Sequence, residues 1–292
     1  MNLGGKNKMK ILVTGAKGQL GKKIIDILGR DYQLILTDAD NMDITEILAI
    51  RNVIEKEKPD YIIHAAAYTE VDKAEENIEL CRKVNSFGTK NIALIAKKFN
   101  IKLIYISTDF VFDGSKKSPY SEDDKPNPLS VYGLTKYEGE EFIKNICNKY
   151  YILRIAWLYG ELPAGHPGTN FVEIMLKLAK ERPTLNVINN QIGSPTYTGD
   201  LVETISKIIN QLPEFGTYHF SGIGACSWYD FAKEIFRQTN TAVDLKPIKS
   251  EDYPQKAQKP MYSYLDKTKI ENALEIKVRP WKEMLTEYLT KR

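Results

Sequence analysis

An apolar run, Lys10-Ile-Leu-Val-Thr14, leads straight into Gly15-Ala-Lys-Gly18-Gln-Leu-Gly21. Behind the glycines, Leu20, Ile24, Ile25, Ile27 and Leu28 recur at helical spacing, and Gly29 stands where a C-terminal cap ends a helix. A short apolar strand without polar alternation is buried on both faces, as in a parallel sheet. Between such a strand and a helix, each glycine has its own use. The first allows a tight turn, the second lets backbone approach a pyrophosphate, and the third lets the helix pack on the strand. The free N–H groups at the helix start then face phosphate. Gly15, Gly18 and Gly21 therefore point to a dinucleotide site, with a plain strand-to-helix turn as the alternative.

The alternation of strand and helix continues. Gln33–Thr37 is a second strand, ended by Asp38, twenty residues after Gly18. An acidic residue at that distance binds the adenine-side ribose hydroxyls. Its charge repels a 2′-phosphate, and no Arg or Lys follows within ten residues. The cofactor is NADH or NADPH, with the balance toward NADH. Asp43-Ile44 is a second candidate, for the adenine, although Asp43 reads equally as the N-cap of a helix over 45–57. Tyr61–Ala67 is a third strand, and Ala65-Ala66-Ala67 leave room for a flat ligand. His64, inside this apolar run, reads as a satisfied core histidine. Thr69, Val71 and Asp72 open the next turn and are candidates to face substrate, with Asp72 an N-cap otherwise. Asn85 begins a helix that runs to Lys98. A fourth strand over 102–107 delivers Ser107 and Thr108.

These repeats predict an α/β fold, a doubly wound parallel sheet with right-handed crossovers. Ligands in such folds bind outside the carboxyl ends of the strands, where Gly15, Asp38, Ala65 and Thr108 fall. A loop over 113–129 leads to a helix over 130–149, then to a strand over Tyr151–Trp157 and a Pro/Gly loop over 161–169. Next come a helix from Asn170-Phe171 to about Lys180, a strand over 185–188 and a compact loop over Asn190–Thr196. A helix (198–211), a strand (216–220) and a helix (227–238) follow. Residues 245–265 read as loose and proline-rich, and an amphipathic helix over 281–290 closes the chain. The expected division is a dinucleotide-binding domain over 9–160 and a smaller C-terminal lobe, mainly substrate-binding, over 161–292, with elements free to cross.

Tyr132 and Lys136 are four residues apart and share one helix face. A cation beside a phenol lowers its pKa from about 10 and brings the proton into working range. The Thr108 hydroxyl, the phenol and the ammonium are thereby expected within reach of one substrate carbonyl, whose oxygen Thr108 can hydrogen-bond. Such Tyr/Lys pairs arise by chance on many helices, and the preceding frame gives this one its weight.

Composition removes several classes. The net charge is +3 and no basic run exceeds two residues, so nucleic acid is not an expected partner. No apolar run approaches about 18 residues, which argues against a membrane span. The start, MNLGGKNK, lacks the apolar core of a signal peptide and reads as a disordered extension of a cytoplasmic protein. Cys81, Cys147 and Cys226 have neither metal nor disulfide spacing and read as ordinary thiols.

The set Gly15-x-x-Gly18-x-x-Gly21, Asp43-Ile44, Ala65-Ala66-Ala67, Asn85, Ser107-Thr108-Asp109, Tyr132-x-x-x-Lys136 and Asn190-Gln191-x-Gly193-x-Pro195-Thr196 resembles an extended short-chain dehydrogenase/reductase. More narrowly, AAAYTEVDKAE, STDFVFDG, VYGLTKYEGE and QIGSPT are similar to the dTDP-4-dehydrorhamnose reductase family, over nearly the whole chain from Lys10. The resemblance implies reduction of a 4-keto sugar nucleotide, with Tyr132 as general acid. It implies that Lys136 lowers the phenol's pKa and holds the nicotinamide ribose. It implies Gly15, Gln19, Leu20, Asp43, Ile44, Ala65 and Ala67 around the cofactor, joined by Gly18, Gly21, Asp38, Ala66, Asn85 and Ser107. Thr108, Asp109, Val71 and Trp157 are implied at the substrate.

Some members of that family bridge a dimer through a metal on a glutamate two residues after the third glycine. Here the residue is Lys23, so no metal site is expected, and the assembly is a monomer or a homodimer. A 4,6-dehydratase of this kind carries Thr-Asp-Glu, whereas this chain has Thr108-Asp109-Phe110. Two rivals stay open: an epimerase of the same fold, and a non-catalytic subunit resembling the regulatory β subunit of methionine adenosyltransferase.

Overall fold

The computed structural model describes residues 8–165 and 168–292. The expected N-terminal extension falls largely on residues 1–7, outside the described residues. Six strands, β1 (Lys10–Thr14), β2 (Gln33–Thr37), β3 (Tyr61–His64), β4 (Lys102–Thr108), β5 (Tyr150–Ile155) and β6 (Gly216–Phe220), form one sheet. Its order is β2-β1-β3-β4-β5-β6, and every pairing is parallel. The winding reverses between β1 and β3, so a ligand crevice opens there. The doubly wound sheet inferred from the sequence is the fold of the chain.

The apolar runs work as two-sided strands. Ile11 and Val13 enter one core, shared with Leu201, Val202 and Ile205 of the helix Thr198–Gln211. Leu12, between them, enters the core on the other face with Ile50, Ile54, Ile92 and Ile143. Alternate residues of a strand face opposite sides, so one uninterrupted apolar run serves both layers. The chain returns to this sheet after residue 160: β6 extends it, and the first core continues to Met284, Leu285 and Tyr288 near the C-terminus.

Several local expectations shift. The segment around Asn85 is the middle of a helical run, not its start. Helix Ile78–Arg82 passes through a π-helical turn, Lys83–Gly88, into helix Thr89–Lys98. The third strand stops at His64, and Ala65–Ala67 are irregular. Part of the stretch read as loose is ordered, because Asp244–Ile248 pairs in parallel with Thr184–Ile188. That strand is largely exposed and contains Pro247, which hid its periodicity. A short helix, Thr268–Leu274, was also not anticipated.

His64 is a core histidine. Its Nδ1 lies 2.7 Å from the Thr14 hydroxyl and its Nε2 3.1 Å from that of Thr89. Burial drives its pKa down to about 3. The three cysteines are buried and unpaired to one another. No helix among the described residues is long and apolar enough to cross a membrane.

Candidate active site

The carboxyl ends of β1, β3 and β4 open into a cavity of about 980 Å³, within the range of small-molecule and cofactor sites. The glycine turn forms one end. Gly15 has φ +70°, and a Cβ there would stand 2.8 Å from the Ala66 nitrogen. A Cβ on Gly21 would stand 2.4 Å from the Gly15 carbonyl oxygen, so the helix sits on the turn with no room for a side chain. Helix Gln19–Leu28 is N-capped by Gly18, with no side chain among the described residues accepting from its first turn. Gly18, Gln19, Leu20 and Gly21 all line the cavity. Uncapped N–H groups at a helix start fit the pyrophosphate of a dinucleotide.

Asp38 lines the same end, and its carboxylate accepts the backbone N–H of Lys17 at 2.9 Å. The Lys17 ammonium pairs with Asp40 at 2.6 Å, both exposed. A cation therefore stands beside Asp38 after all. It comes from the glycine turn, not from the residues after β2 where the sequence argument looked for one. Asp43, Ile44, Ala65, Ala66 and Ala67 also line the cavity. Asp43 is not the N-cap of the following helix. It accepts the Thr45 N–H at 2.8 Å, and helix Ile47–Glu57 has Glu46 at its N-cap.

Asn85 is not brought to the cavity wall. It is buried in the π-helical turn, where its Oδ1 accepts the Tyr68 N–H (2.8 Å) and its Nδ2 donates to the Tyr68 carbonyl (3.1 Å) and the Thr135 hydroxyl (3.3 Å). It ties the alanine loop to the helix that carries Tyr132. Ser107 does reach the cavity, but its hydroxyl donates to Glu140 at 2.5 Å.

That helix, Val131–Ile146, is capped by Ser130, whose hydroxyl accepts from the Gly133 N–H. A Cβ on Gly133 would lie 2.3 Å from the Phe110 carbonyl oxygen, so this glycine lets the helix start sit directly on the turn after β4. Tyr132 thereby comes beside Thr108, and both line the cavity with Lys136. Lys136 is buried. Its ammonium donates to the Ile106 carbonyl at 2.7 Å and lies 4.1 Å from the centre of the Tyr105 ring. Burial lowers its pKa to about 7, against the opposing pull of Glu140.

Tyr132 corrects one expectation. Its pKa is raised, not lowered. Desolvation is the largest cause; the Thr108 hydroxyl pulls the other way and Asp109 adds to the rise. Lys136, engaged with Ile106, does not offset that burial. A phenol held in its protonated form can still give a proton to an oxygen that becomes basic during reaction.

Asp109 is buried beside them. It accepts from Ser263 Oγ at 2.5 Å and from Thr108 Oγ1 at 3.2 Å, and burial raises its pKa to about 7. Val71 and Trp157 complete the expected set on the cavity wall. Trp157 has φ +48° and stacks on Trp228, ring centres 3.6 Å apart. A Cβ on Gly193 would lie 2.7 Å from the Trp157 ring, so the QIGSPT loop makes room for this indole. The wall also includes Phe171, Trp228, Gln191, Lys259 and Ser263, none singled out by sequence reasoning as site residues. Gln191 lies within the QIGSPT motif. Lys259 and Ser263 lay in the stretch read as loose.

The family profile of the RmlD substrate binding domain matches residues 9–292. The chain belongs to that family. A dTDP-4-dehydrorhamnose reductase of Aggregatibacter actinomycetemcomitans is 39% identical over 290 residues, covering 94% of this chain and 97% of that protein. The crystal structure of a dTDP-4-dehydrorhamnose reductase from Clostridium acetobutylicum is 44% identical and superposes with a TM-score of 0.91, covering 97% of this chain and 99% of that one. The Bacillus anthracis reductase in complex with NADP is 39% identical with a TM-score of 0.93, covering 98% and 100%.

Proposed function

We propose that this protein reduces the 4-keto group of dTDP-4-dehydro-L-rhamnose to give dTDP-L-rhamnose. The observation that carries the reading is the Tyr132 phenol beside the Thr108 hydroxyl, in a cavity whose other end is an uncapped glycine turn. Relatives at 39–44% identity that carry the reductase name favour this over an epimerase or a non-catalytic subunit.

A nicotinamide cofactor held here would supply a hydride to the carbonyl carbon. Tyr132 gives its proton to the carbonyl oxygen as negative charge develops there. Thr108, its hydroxyl turning from Asp109, donates a hydrogen bond to the same oxygen and keeps it in line with the phenol. Lys136 orients the nicotinamide ribose, and its charge favours the phenolate that Tyr132 leaves behind. Gly15, Gly18, Gln19, Leu20 and Gly21 hold the pyrophosphate, and Asp43, Ile44, Ala65, Ala66 and Ala67 flank the dinucleotide. Asp109, Val71 and Trp157 face the sugar nucleotide. Asp38 favours NADH, and Lys17 supplies a counter-charge that admits NADPH. Lys23, paired with Glu161 at 2.7 Å, takes the place of the metal-bridging glutamate. The assembly is accordingly a monomer or a homodimer without that bridge, acting in the cytoplasm.

Absorbance at 340 nm tests the reading. NADH or NADPH should be oxidised on addition of dTDP-4-dehydro-L-rhamnose, and the two rates give the cofactor preference. A protein that binds both cofactors and oxidises neither would overturn it.

Lys136 makes cofactor binding depend on pH. Its pKa is about 7 in the free protein, and hydrogen bonds from its ammonium to a ribose raise it in the complex. Between the two values the complex holds more protons than the free protein. Binding therefore takes up as much as one proton, and affinity falls as pH rises above 7. Titration calorimetry at pH 7.5 in buffers of different ionisation enthalpy should show this uptake, and Lys136→Met should abolish it.

A further inference from the structure

Three lysines line the cavity among the described residues: Lys17, Lys136 and Lys259. Lys17 belongs to the Asp38 end and Lys136 to the Tyr132 helix. Lys259 stands on a strap that continues through Pro260 to Ser263, both also on the cavity wall. Ser263 donates to Asp109, so the strap belongs to the end of the cavity assigned to the sugar nucleotide.

The strap is held without help from the Lys259 ammonium. Asp72 Oδ1 accepts the backbone N–H groups of Lys256 (3.1 Å) and Ala257 (3.0 Å). Gly114 lies so close that a Cβ there would stand 2.5 Å from the Met261 nitrogen. The strap is further joined to the QIGSPT loop by Ile192 N–H to Met261 O (2.9 Å) and Ser263 N–H to Ile192 O (2.7 Å). The Lys259 ammonium meets Asp72 Oδ2 at 3.2 Å, in a pair whose side chains are 23% and 45% exposed. An ion pair this open is weak and readily exchanged for a better anion. On the joined loop, Gln191 is only 3% exposed and lines the cavity, and its Nε2 has no acceptor among the described residues. A buried amide nitrogen left unpaired costs free energy that an incoming acceptor restores. An exchangeable cation and an orphaned donor thus stand on two segments bonded to each other.

We infer that Lys259 and Gln191 form the subsite for the diphosphate of the nucleoside diphosphate sugar, Lys259 leaving Asp72 to take the phosphate charge. This rests on the reductase reading for the identity of the substrate. The ligand chemistry required is an acceptor-rich, doubly charged group, which the diphosphate of a sugar nucleotide supplies.

Trp157 and Trp228 provide a fluorescence signal for binding without turnover. With dTDP as probe, Lys259→Gln should raise the dissociation constant roughly ten- to hundredfold, the worth of a hydrogen bond to a charged group. Thymidine, which lacks phosphate, should bind the variant as it binds the parent. Gln191→Leu should weaken dTDP in the same selective way, and Lys259→Arg should recover most of the affinity. The cofactor dissociation constant is the control for folding and for the site's identity. Lys259→Gln protein that bound dTDP as tightly as the parent, lost dTDP and thymidine equally, or lost cofactor instead would overturn the inference. If the parent binds dTDP but oxidises no cofactor with the keto sugar, the reductase reading falls and the diphosphate subsite stands. If turnover is normal and Lys259→Gln leaves dTDP binding intact, the subsite falls and the reading stands.

Discussion

Tyr132→Phe is expected to lower kcat by about 10²-fold or more, the usual contribution of a positioned general acid. The substitution keeps the ring and its edge contact with Phe110, where the ring centres are 5.7 Å apart. It removes the one proton that burial holds on the phenol. The local frame should survive, because the helix start depends on the Ser130 cap and on Gly133, not on the hydroxyl. Cofactor affinity should therefore stay close to that of the parent, and the loss should appear in single-turnover oxidation followed at 340 nm. Solvent isotope effects give a second readout: a parent effect on the chemical step should disappear when the phenolic proton is gone. Parent-like turnover in Tyr132→Phe would assign the proton to another group. Asp109 would be the first candidate, since its pKa near 7 keeps it part-protonated and within 3.2 Å of the Thr108 hydroxyl.

The fold was legible because its strands are buried on both faces and bounded by glycine or acidic residues. The run Lys10–Thr14 followed by Gly15 fixes both a strand and a turn, and Asp38 closes the next strand at the spacing a ribose contact needs. The meeting of candidate residues in one cavity was legible where chemistry coincides with a strand end or one helix face, as at Thr108, Tyr132 and Lys136. It was not legible where a residue acts through the backbone of a distant segment. Asn85 sits in motif position yet binds the main chain of Tyr68, and nothing local marks that role. Lys259 and Ser263 lie on an irregular strap whose shape is set by hydrogen bonds to Asp72 and Ile192, residues far away in sequence. The sign of the Tyr132 shift also escaped a sequence argument. Helical spacing gives the proximity of a cation but not the depth of burial, and here burial wins.

The buried pair of Glu140 and Arg154 was not anticipated at all, and it carries the largest expected effect on stability. Glu140 is one helical turn beyond Lys136 and wholly buried. Arg154, on β5, is 1% exposed and approaches it at 2.7 Å. The same carboxylate accepts from Ser107 at the end of β4. The guanidinium also lies 5.1 Å from the centre of the Phe112 ring and 3.4 Å from His219 Nε2, whose Nδ1 faces the Tyr120 carbonyl at 3.0 Å. Three strands, the Tyr132 helix and the loop before it thus meet on one ion pair. Glu140→Ala would leave a guanidinium buried without its counter-charge, which costs about 3–5 kcal/mol. Replacing both partners, as Glu140→Leu with Arg154→Met, removes the stranded charge and should recover much of that loss.

Denaturant titrations of Glu140→Leu, Arg154→Met and the double variant close a cycle that isolates the coupling. The pH dependence gives an independent check. Burial, the largest single cause, would raise the pKa of Glu140, but Arg154, Lys144 and Ser107 together outweigh it and the net direction is down. A depressed carboxylate contributes stability that is fully present above its unfolded value of about 4.3 and is lost as pH falls through its folded value. The gap between the parent and Glu140→Ala should therefore be wide at pH 7 and narrow in acid. A gap that stayed constant would mean that packing, not charge, is what Glu140 provides. Because Glu140 also raises the proton affinity of Lys136, the variant should shift the pH at which cofactor binding takes up its proton to a lower value. A loss of packing alone would not move that midpoint.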